Sequence, residues 1–435
     1  MIIIVIPILI AVLLGVEELY YRKCWDKNLG VSLSFDEAPV TEGDKTTLTE
    51  VVTNGKRMPI PVLEVGFSMD RGLYIENAAN TVVSDLTNAV EVFSVGGNEK
   101  VTRRLSVDCR KRGYYIIQKT SIVSHDMLSL TTGYANLRQF THLYVYPRRI
   151  DRSMLEIPME KIMGELSTRR YLYENIFLLR GVRDYVPTDP ENTVNWKATA
   201  KTGSLKVNLH DHSAGQNVTI LLNLEDPTIW YNDRILEDSI SLTAGLAGEL
   251  TAKGIPVGVV TNAHDKMSAA ERNYIHDGER KGGGKAVASS LFGDAAKEEE
   301  RKDPAPGEDN PGHEPKTPES VKSERIPDAS GDCLAIGEGA SADHLRAVNE
   351  LLARIDLTRR RVPFSEIVRD ELRDEKRRDN STYVLISSSR RKETAVAAEE
   401  IGKRKGKLLW ICILTKDMKD EPVPGHVDFV RIDRE

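Results

Sequence analysis

The sequence is poor in the parts from which most enzymes and metal proteins build their sites. It has only four cysteines, Cys24, Cys109, Cys333 and Cys412, with no Cys-x-x-Cys pair and no regular spacing. That excludes a disulfide framework and a structural zinc site, and it suits a reducing compartment. There is no Gly-x-x-x-x-Gly-Lys-Ser/Thr phosphate loop, no Gly-x-Ser-x-Gly nucleophile elbow and no His-Glu-x-x-His pair. The triple glycine Gly282-Gly283-Gly284 follows no strand and is a poor phosphate cradle. An excess of positive charge is also missing: the net charge is −6, which leaves no electrostatic footprint for nucleic acid. No cofactor is expected from these residues.

What is present is long enough for two or three domains, at 435 residues. Met1 to Val16 is almost wholly apolar, broken only by Pro7 and Gly15. Leu19, Tyr20 and Tyr21 extend it towards the ~20 residues of a spanning helix, with the tyrosines at the lipid interface. No cationic region precedes the run and no small-x-small cleavage site follows it, which favours an anchor over a cleaved signal peptide. Arg22, Lys23 and Lys27 follow at once. By the positive-inside rule they place the bulk of the chain in the cytoplasm. The expectation is a transmembrane anchor over residues 1–21 of a single-pass protein of the inner membrane.

Residues 31–147 read as β structure. Val31, Leu33 and Phe35 alternate, as do Val65, Phe67 and Met69. Turn formers at Glu42-Gly43-Asp44, Asn54-Gly55, Asp70-Arg71-Gly72 and Gly96-Gly97-Asn98 divide the runs. Many short strands over this length predict an all-β, immunoglobulin-like sandwich acting as a spacer or interaction domain.

A helix is predicted across Ile150 to Phe177, with Leu155, Ile162 and Leu166 on its apolar face. Strand and helix alternate from Val218 to the end: strands at Val218–Leu224, Ile255–Thr261, Tyr383–Ile386, Leu408–Leu414 and Val427–Val430, with helices at Asp233–Lys253, Asp343–Ile355, Phe364–Arg373 and Thr394–Lys403. Alternation of this kind predicts a parallel sheet with helices on both faces, whose ligands bind at the carboxyl ends of the strands. The segment 282–331 interrupts it. Being rich in Gly, Pro, Glu, Lys and Ser, it is expected to be a disordered insertion.

Candidate chemistry is sparse. Asn223, Glu225 and Asp226 close the first strand of the sheet, where a cation or a partner's carboxylate would bind, although a polar strand end with a helix cap reads the same way. His210 and His212 flank Asp211 without a third ligand nearby in sequence, and read as surface histidines. Cys333 and His344 are close in sequence and are the one pair from which a thiol nucleophile and base could be drawn.

The most distinctive stretch joins the two patterned regions. Arg180-Gly181-Val182-Arg183-Asp184-Tyr185-Val186-Pro187-Thr188-Asp189 is followed by Asn195-Trp196-Lys197-Ala198-Thr199-Ala200-Lys201 and then by Leu205-Lys206-Val207. Aromatics, turn formers and cations are mixed as no flexible linker mixes them. This block resembles the signature of the domain of unknown function 58 family: its Arg-Asp/Glu-Tyr-x-Pro run at Arg183–Pro187, with Asp189, and its Trp-Lys-x-x-Ala-Arg run at Trp196–Lys201. Arg112-Gly113-Tyr114 and Tyr144-Val145-Tyr146-Pro147 are similar to further family fragments. The resemblance implies a membrane anchor (residues 1–21), an immunoglobulin-like region (31–147), a helical segment with the signature (150–217) and a von Willebrand factor A-like module (218–435). It also implies a partnership with AAA+ ATPases of the MoxR type, in the assembly or maturation of other proteins.

The family's Asp-x-Ser-x-Ser adhesion-site pattern is degenerate here. Asn223-Leu224-Glu225-Asp226-Pro227 lacks the leading aspartate and both serines, so no metal is expected. Trp196 and Tyr185 are expected to bury against the sheet edge as a structural clasp, with Arg183 and Lys197 paired to Asp184, Asp189 or Glu191. Two functions follow. One is a non-catalytic interaction or scaffold protein working with a MoxR-type ATPase. The other is a hydrolase or peptidase-like enzyme with its site at the strand ends.

Overall fold

The computed structural model describes residues 14–16, 18–19, 21–36, 39–75, 82–83, 86–126, 131–172, 175–187, 194–211, 217–225, 233–267, 333–373, 381–389, 391–405, 408–415, 425 and 427–434. Two compact units emerge, Met1–Arg148 with Lys266–Ser320, and Arg149–Asp265 with Val321–Glu435. The expected disordered insertion at 282–331 lies outside the described residues, as do Asp226, Asp189, Glu191 and His212.

The first unit is a β sandwich. Its strands are β1 (Leu29–Phe35), β2 (Val40–Thr41), β3 (Lys45–Asn54), β4 (Ile60–Asp70), β5 (Leu73–Ile75), β6 (Val82–Val83), β7 (Leu86–Val95), β8 (Glu99–Cys109), β9 (Gly113–His125) and β10 (Thr132–Tyr146). One sheet has the order β1-β3-β8-β5 and the other β2-β10-β9-β4-β7-β6. Two mainly antiparallel sheets of four and six strands with this strand order make the unit an immunoglobulin-like sandwich. The alternation read from sequence holds where it can be followed: every second residue of β3, from Thr46 to Asn54, is buried. Tyr115, near the start of β9, donates its hydroxyl to the carbonyl of Lys111 at 2.7 Å. That is the tyrosine corner of such sandwiches, tying strand to turn. At one edge Gln139 Nε2 donates to Val31 O, while Leu33 N donates to Gln139 Oε1 at 3.0 Å and Thr141 Oγ1 to Leu33 O at 2.6 Å. These side chains staple β10 of one sheet to β1 of the other.

The transmembrane expectation is corrected. Among the described residues no helix is long and apolar enough to cross a membrane. Residues 14–16, 18–19 and 21–24 are helical, and Tyr21, expected at a lipid interface, is 5% exposed with its hydroxyl bonded to Ser124 of β9. A tyrosine that packs on protein and bonds a protein hydroxyl is satisfied without lipid. Single-pass placement in the inner membrane is therefore withdrawn. Residues 1–13 lie outside the described residues.

The second unit is α/β. It begins with α1 (Arg152–Leu172), then β11 (Asn175–Asp184), α2 (Trp196–Thr202) and β12 (Lys206–Asp211). It continues through β13 (Asn217–Asn223), α3 (Asp233–Ala252), β14 (Val257–Asp265), β15 (Cys333–Gly339), α4 (Ala342–Arg354), β16 (Ile355–Asp356), α5 (Phe364–Arg373), β17 (Ser381–Ser387), α6 (Lys392–Lys405), β18 (Leu408–Thr415) and β19 (Val427–Arg434). The main sheet has the order β15-β14-β13-β17-β18-β19, with β16 pairing β14.

The von Willebrand factor A-like parallel sheet of the sequence reading is also corrected. Five strands are parallel, but β15 and β16 both run antiparallel to β14, so the sheet is mixed. The central strands are nearly continuous apolar runs because both faces are covered. Ile220 and Leu222 point into one cluster with α1, α3 and α4, and Leu221 points into another with α5 and α6. On α1, Leu155, Met159, Ile162 and Leu166 recur at helical spacing and all face the first cluster. Gly245 lets α1 approach α3 closely: a Cβ there would lie 3.1 Å from Leu155 Cδ2 of α1 and 2.9 Å from Ile150 Cγ2 just ahead of it.

Candidate functional site

Two places carry the residues singled out from sequence. The first is the carboxyl end of the main sheet. Asn223 closes β13 with no exposure, and its amide is fully engaged. Oδ1 accepts from Asn262 Nδ2 at 2.9 Å and from the Glu225 amide at 3.0 Å. Nδ2 donates to Ser387 Oγ at 3.0 Å and reaches Glu225 Oε2 at 3.5 Å. Asn262, near the end of β14, accepts from Leu224 N at 2.9 Å and donates to Val362 O at 3.1 Å. Glu225 Oε1 accepts from Phe364 N, the first residue of α5, at 2.9 Å, and Oε2 accepts from Thr394 Oγ1 in the first turn of α6 at 3.3 Å. A carboxylate at two helix starts satisfies orphan donors and complements their dipoles.

The strand end is thus filled by its own side chains. The Asn223 and Glu225 oxygens that a cation would need are turned onto amides and a hydroxyl. Ser387 is held in the same way, with Oγ against Asn223 and the Ser389 backbone. Among the described residues no group of three or more His, Cys, Asp or Glu side chains is placed to hold a metal. At the opposite end of the sheet Glu338 plays a matching part. It accepts from Thr219 Oγ1 at 3.0 Å and also from Asn217 and Ser381.

The structure does not bring Cys333 and His344 together. Cys333 opens β15 opposite His264, whereas His344 lies beside Gly339 at its far end, where a Cβ would meet the imidazole at 2.6 Å. Six strand steps of ~3.3 Å separate those ends. Cys333, just past the segment expected to be disordered, is a paired strand residue, 3% exposed. His344 is buried too, with Nε2 donating to Val257 O at 2.7 Å.

The second place is the signature stretch. Its frame is the β11–β12 hairpin, with Arg183 opposite Val207 and Asp184 opposite Lys206. Tyr185 N donates to Leu205 O at 3.0 Å and Asn195 N to Lys206 O at 2.7 Å. Asn195 caps α2, accepting from Ala198 N at 2.9 Å while donating to Asn208 Oδ1 at 2.6 Å. Gly203 ends α2 in the left-handed region at φ 71°, which favours glycine. Lys206 pairs with Asp184, and Arg183 donates to the Asp184 carbonyl at 3.0 Å, while Asp189 and Glu191, the other acids expected to pair with Arg183 and Lys197, lie outside the described residues.

The buried clasp is corrected: Trp196 is 70% exposed. On a seven-residue helix with no buried residue, its ring points to solvent while the cap beside it does the fastening. Val182, Val186 and Leu205 are exposed as well, at 43%, 47% and 45%. Gly181 and Tyr185 are half-buried, and Pro187, Lys197 and Ala200 are exposed. Arg180 belongs to β11, but its side chain lies outside the described residues.

No family model matches the chain, and no curated protein does. Solved structures similar to part of it include a non-cellulosomal cohesin from the hyperthermophilic archaeon Archaeoglobus fulgidus, 9% identical, covering 27% of this chain and 91% of that one with a TM-score of 0.20. The PapD-like domain 7 of human CEP192 is 11% identical, covering 27% and 84% with a TM-score of 0.19. Such scores carry no inference about function.

Proposed function

We propose that the chain is a non-catalytic interaction protein whose signature stretch docks a protein partner, and that this partner is an AAA+ ATPase of the MoxR type. The family resemblance supplies the partner. The single observation that supports the docking site is Trp196, 70% exposed on a short helix whose cap and hairpin hold it in place. Exposed large apolar side chains gathered in one segment mark an interaction surface, and tryptophan is the residue type most enriched at binding hot spots. Val182, Val186 and Leu205 add apolar area, and exposed Lys197 and Lys201 favour an acidic rim on the partner.

The test is capture of the purified cognate ATPase by wild-type chain, Trp196→Ala and Lys197→Glu. Capture is expected to fall at least tenfold for Trp196→Ala with the melting temperature unchanged, and to weaken for Lys197→Glu in a salt-dependent way. Equal capture by all three would overturn the docking site. No capture by wild type would overturn the partner.

A further inference from the structure

The core of the β sandwich is divided by a charged layer. Leu48 of β3 and Ala89 of β7 belong to one apolar cluster, against which Leu105 of β8 packs. Val52 and Phe93 belong to another, against which Val101 packs. Between them lie Glu50, Glu91 and Arg103, each at the position midway along its strand between the two clusters. Glu50 and Arg103 are direct neighbours across β3 and β8 of one sheet, while Glu91 comes from β7 of the other.

The three are not equally provided for. Arg103 Nη1 pairs with Glu91, Nη2 donates to Val92 O at 3.1 Å, and the guanidinium lies 4.3 Å from the centroid of the Phe93 ring. Glu50 has no exposure, and neither of its oxygens has a hydrogen-bond partner. Of the elements around it, β8 presents Arg103 and β7 presents Glu91. Its neighbour on β1, Leu33, does not titrate, and neither does Val65 of β4, the neighbour of Glu91. Two carboxylates therefore share one cation, and of the three only Glu50 is wholly shut off from solvent. Arginine keeps its proton, and Glu91 already holds the guanidinium, so the layer reaches neutrality only when Glu50 binds a proton.

We infer that Glu50 is a proton-binding switch of the sandwich: protonated, it lets the two sheets close over a neutral layer, and deprotonated, it sets an unpaired carboxylate between two apolar clusters and loosens them. Burial first, and the Glu91 charge second, push its carboxyl up from 4.5 to about 7, against the pull of Arg103. A carboxyl raised in the folded state favours folding fully below its ordinary value, and that contribution is lost as pH rises to about 7. Across that window the unfolding constant rises about tenfold per pH unit, from this one proton.

The test uses the full chain. Difference infrared titration of wild type against Glu50→Gln is expected to show one protonated carboxyl band that disappears with a midpoint of about 7. Melting of wild type is expected to fall as pH rises towards that midpoint, and Glu50→Gln should remove that part of the slope. Absence of the band below the midpoint would overturn the switch, as would a Glu50→Gln melting profile that superimposes on that of wild type. Should Glu50→Gln fail to fold, the wild-type band decides alone.

Discussion

Single residues do the fastening in this chain. Tyr115 is 3% exposed, and its hydroxyl lies where a Cβ on Gly72 would come within 1.8 Å of it. Burial pushes its phenol well above the usual range, so it acts only as a neutral hydrogen-bond donor. Tyr115→Phe leaves the Lys111 carbonyl without this donor and is expected to cost ~1 kcal/mol in denaturant unfolding. Gly72→Ala forces the buried ring aside and is expected to cost ~1–3 kcal/mol. Trp196 stands at the other extreme. With 70% of it exposed, Trp196→Ala is expected to change stability by less than ~0.5 kcal/mol, where a buried tryptophan would lose ~3–5. Equilibrium unfolding of this variant separates a recognition residue from a core one. The residue types at positions 180–187 and 194–206 were legible as an ordered segment. Their exposure was not, because a tryptophan next to a cap reads the same whether its ring turns in or out.

At the scale of elements, side chains tie the strand ends of the main sheet to one another and to two helix starts. Glu225 joins the start of α5 to the start of α6, and Asn223 joins β13 to β14 and β17. Glu225→Ala removes the acceptor at Phe364 N and is expected to cost ~1 kcal/mol or more, a loss comparable to that of a helix cap. Asn223→Asp restores the residue of the adhesion-site pattern but cannot donate to Ser387, and it sets a second carboxylate against Glu225. It is therefore expected to destabilise by ~1–3 kcal/mol. Isothermal titration with Mg²⁺ is expected to show no sub-millimolar binding to wild type, because the side-chain oxygens of Asn223, Glu225 and Ser387 are already committed. Binding that Glu225→Ala abolishes would reverse this reading. The degenerate pattern was legible in sequence, but its replacement by an Asn–Asn–Ser–Glu network was not. Asn262 and Ser387 come from distant strands that only the sheet order brings beside Asn223.

For the whole molecule, the cysteines give a direct measure of folding in both units. Cys109, Cys333 and Cys412 are buried, and Cys24 is half-buried. Burial pushes the Cys109 thiol up to about 12, which keeps it from forming thiolate near neutrality. Thiol labelling of native chain is therefore expected to modify Cys24 first and the other three only on unfolding. Labelling of Cys109 at the rate of Cys24 would show that the sandwich opens. The charged layer in that sandwich makes the same rate fall on mild acidification, once the intrinsic pH dependence of thiol reactivity has been subtracted.

Sequence by itself determined the kinds of element and much of their placement. Alternation at period two in β1, β3 and β4 reports one buried face, and the recurrence of Leu155, Ile162 and Leu166 reports another. The apolar runs of β13, β17 and β18 report strands covered on both faces. Such periods survive in a single chain because burial acts on each residue locally. Tertiary structure alone decided the rest. It set the antiparallel direction of β15, the docking of Tyr21 on Ser124 and the separation of Cys333 from His344. It also brought Glu50 and Arg103 of one sheet to Glu91 of the other. Each of these depends on which distant strand lies alongside, and a carboxylate in an alternating run reads as solvated until the facing sheet closes over it.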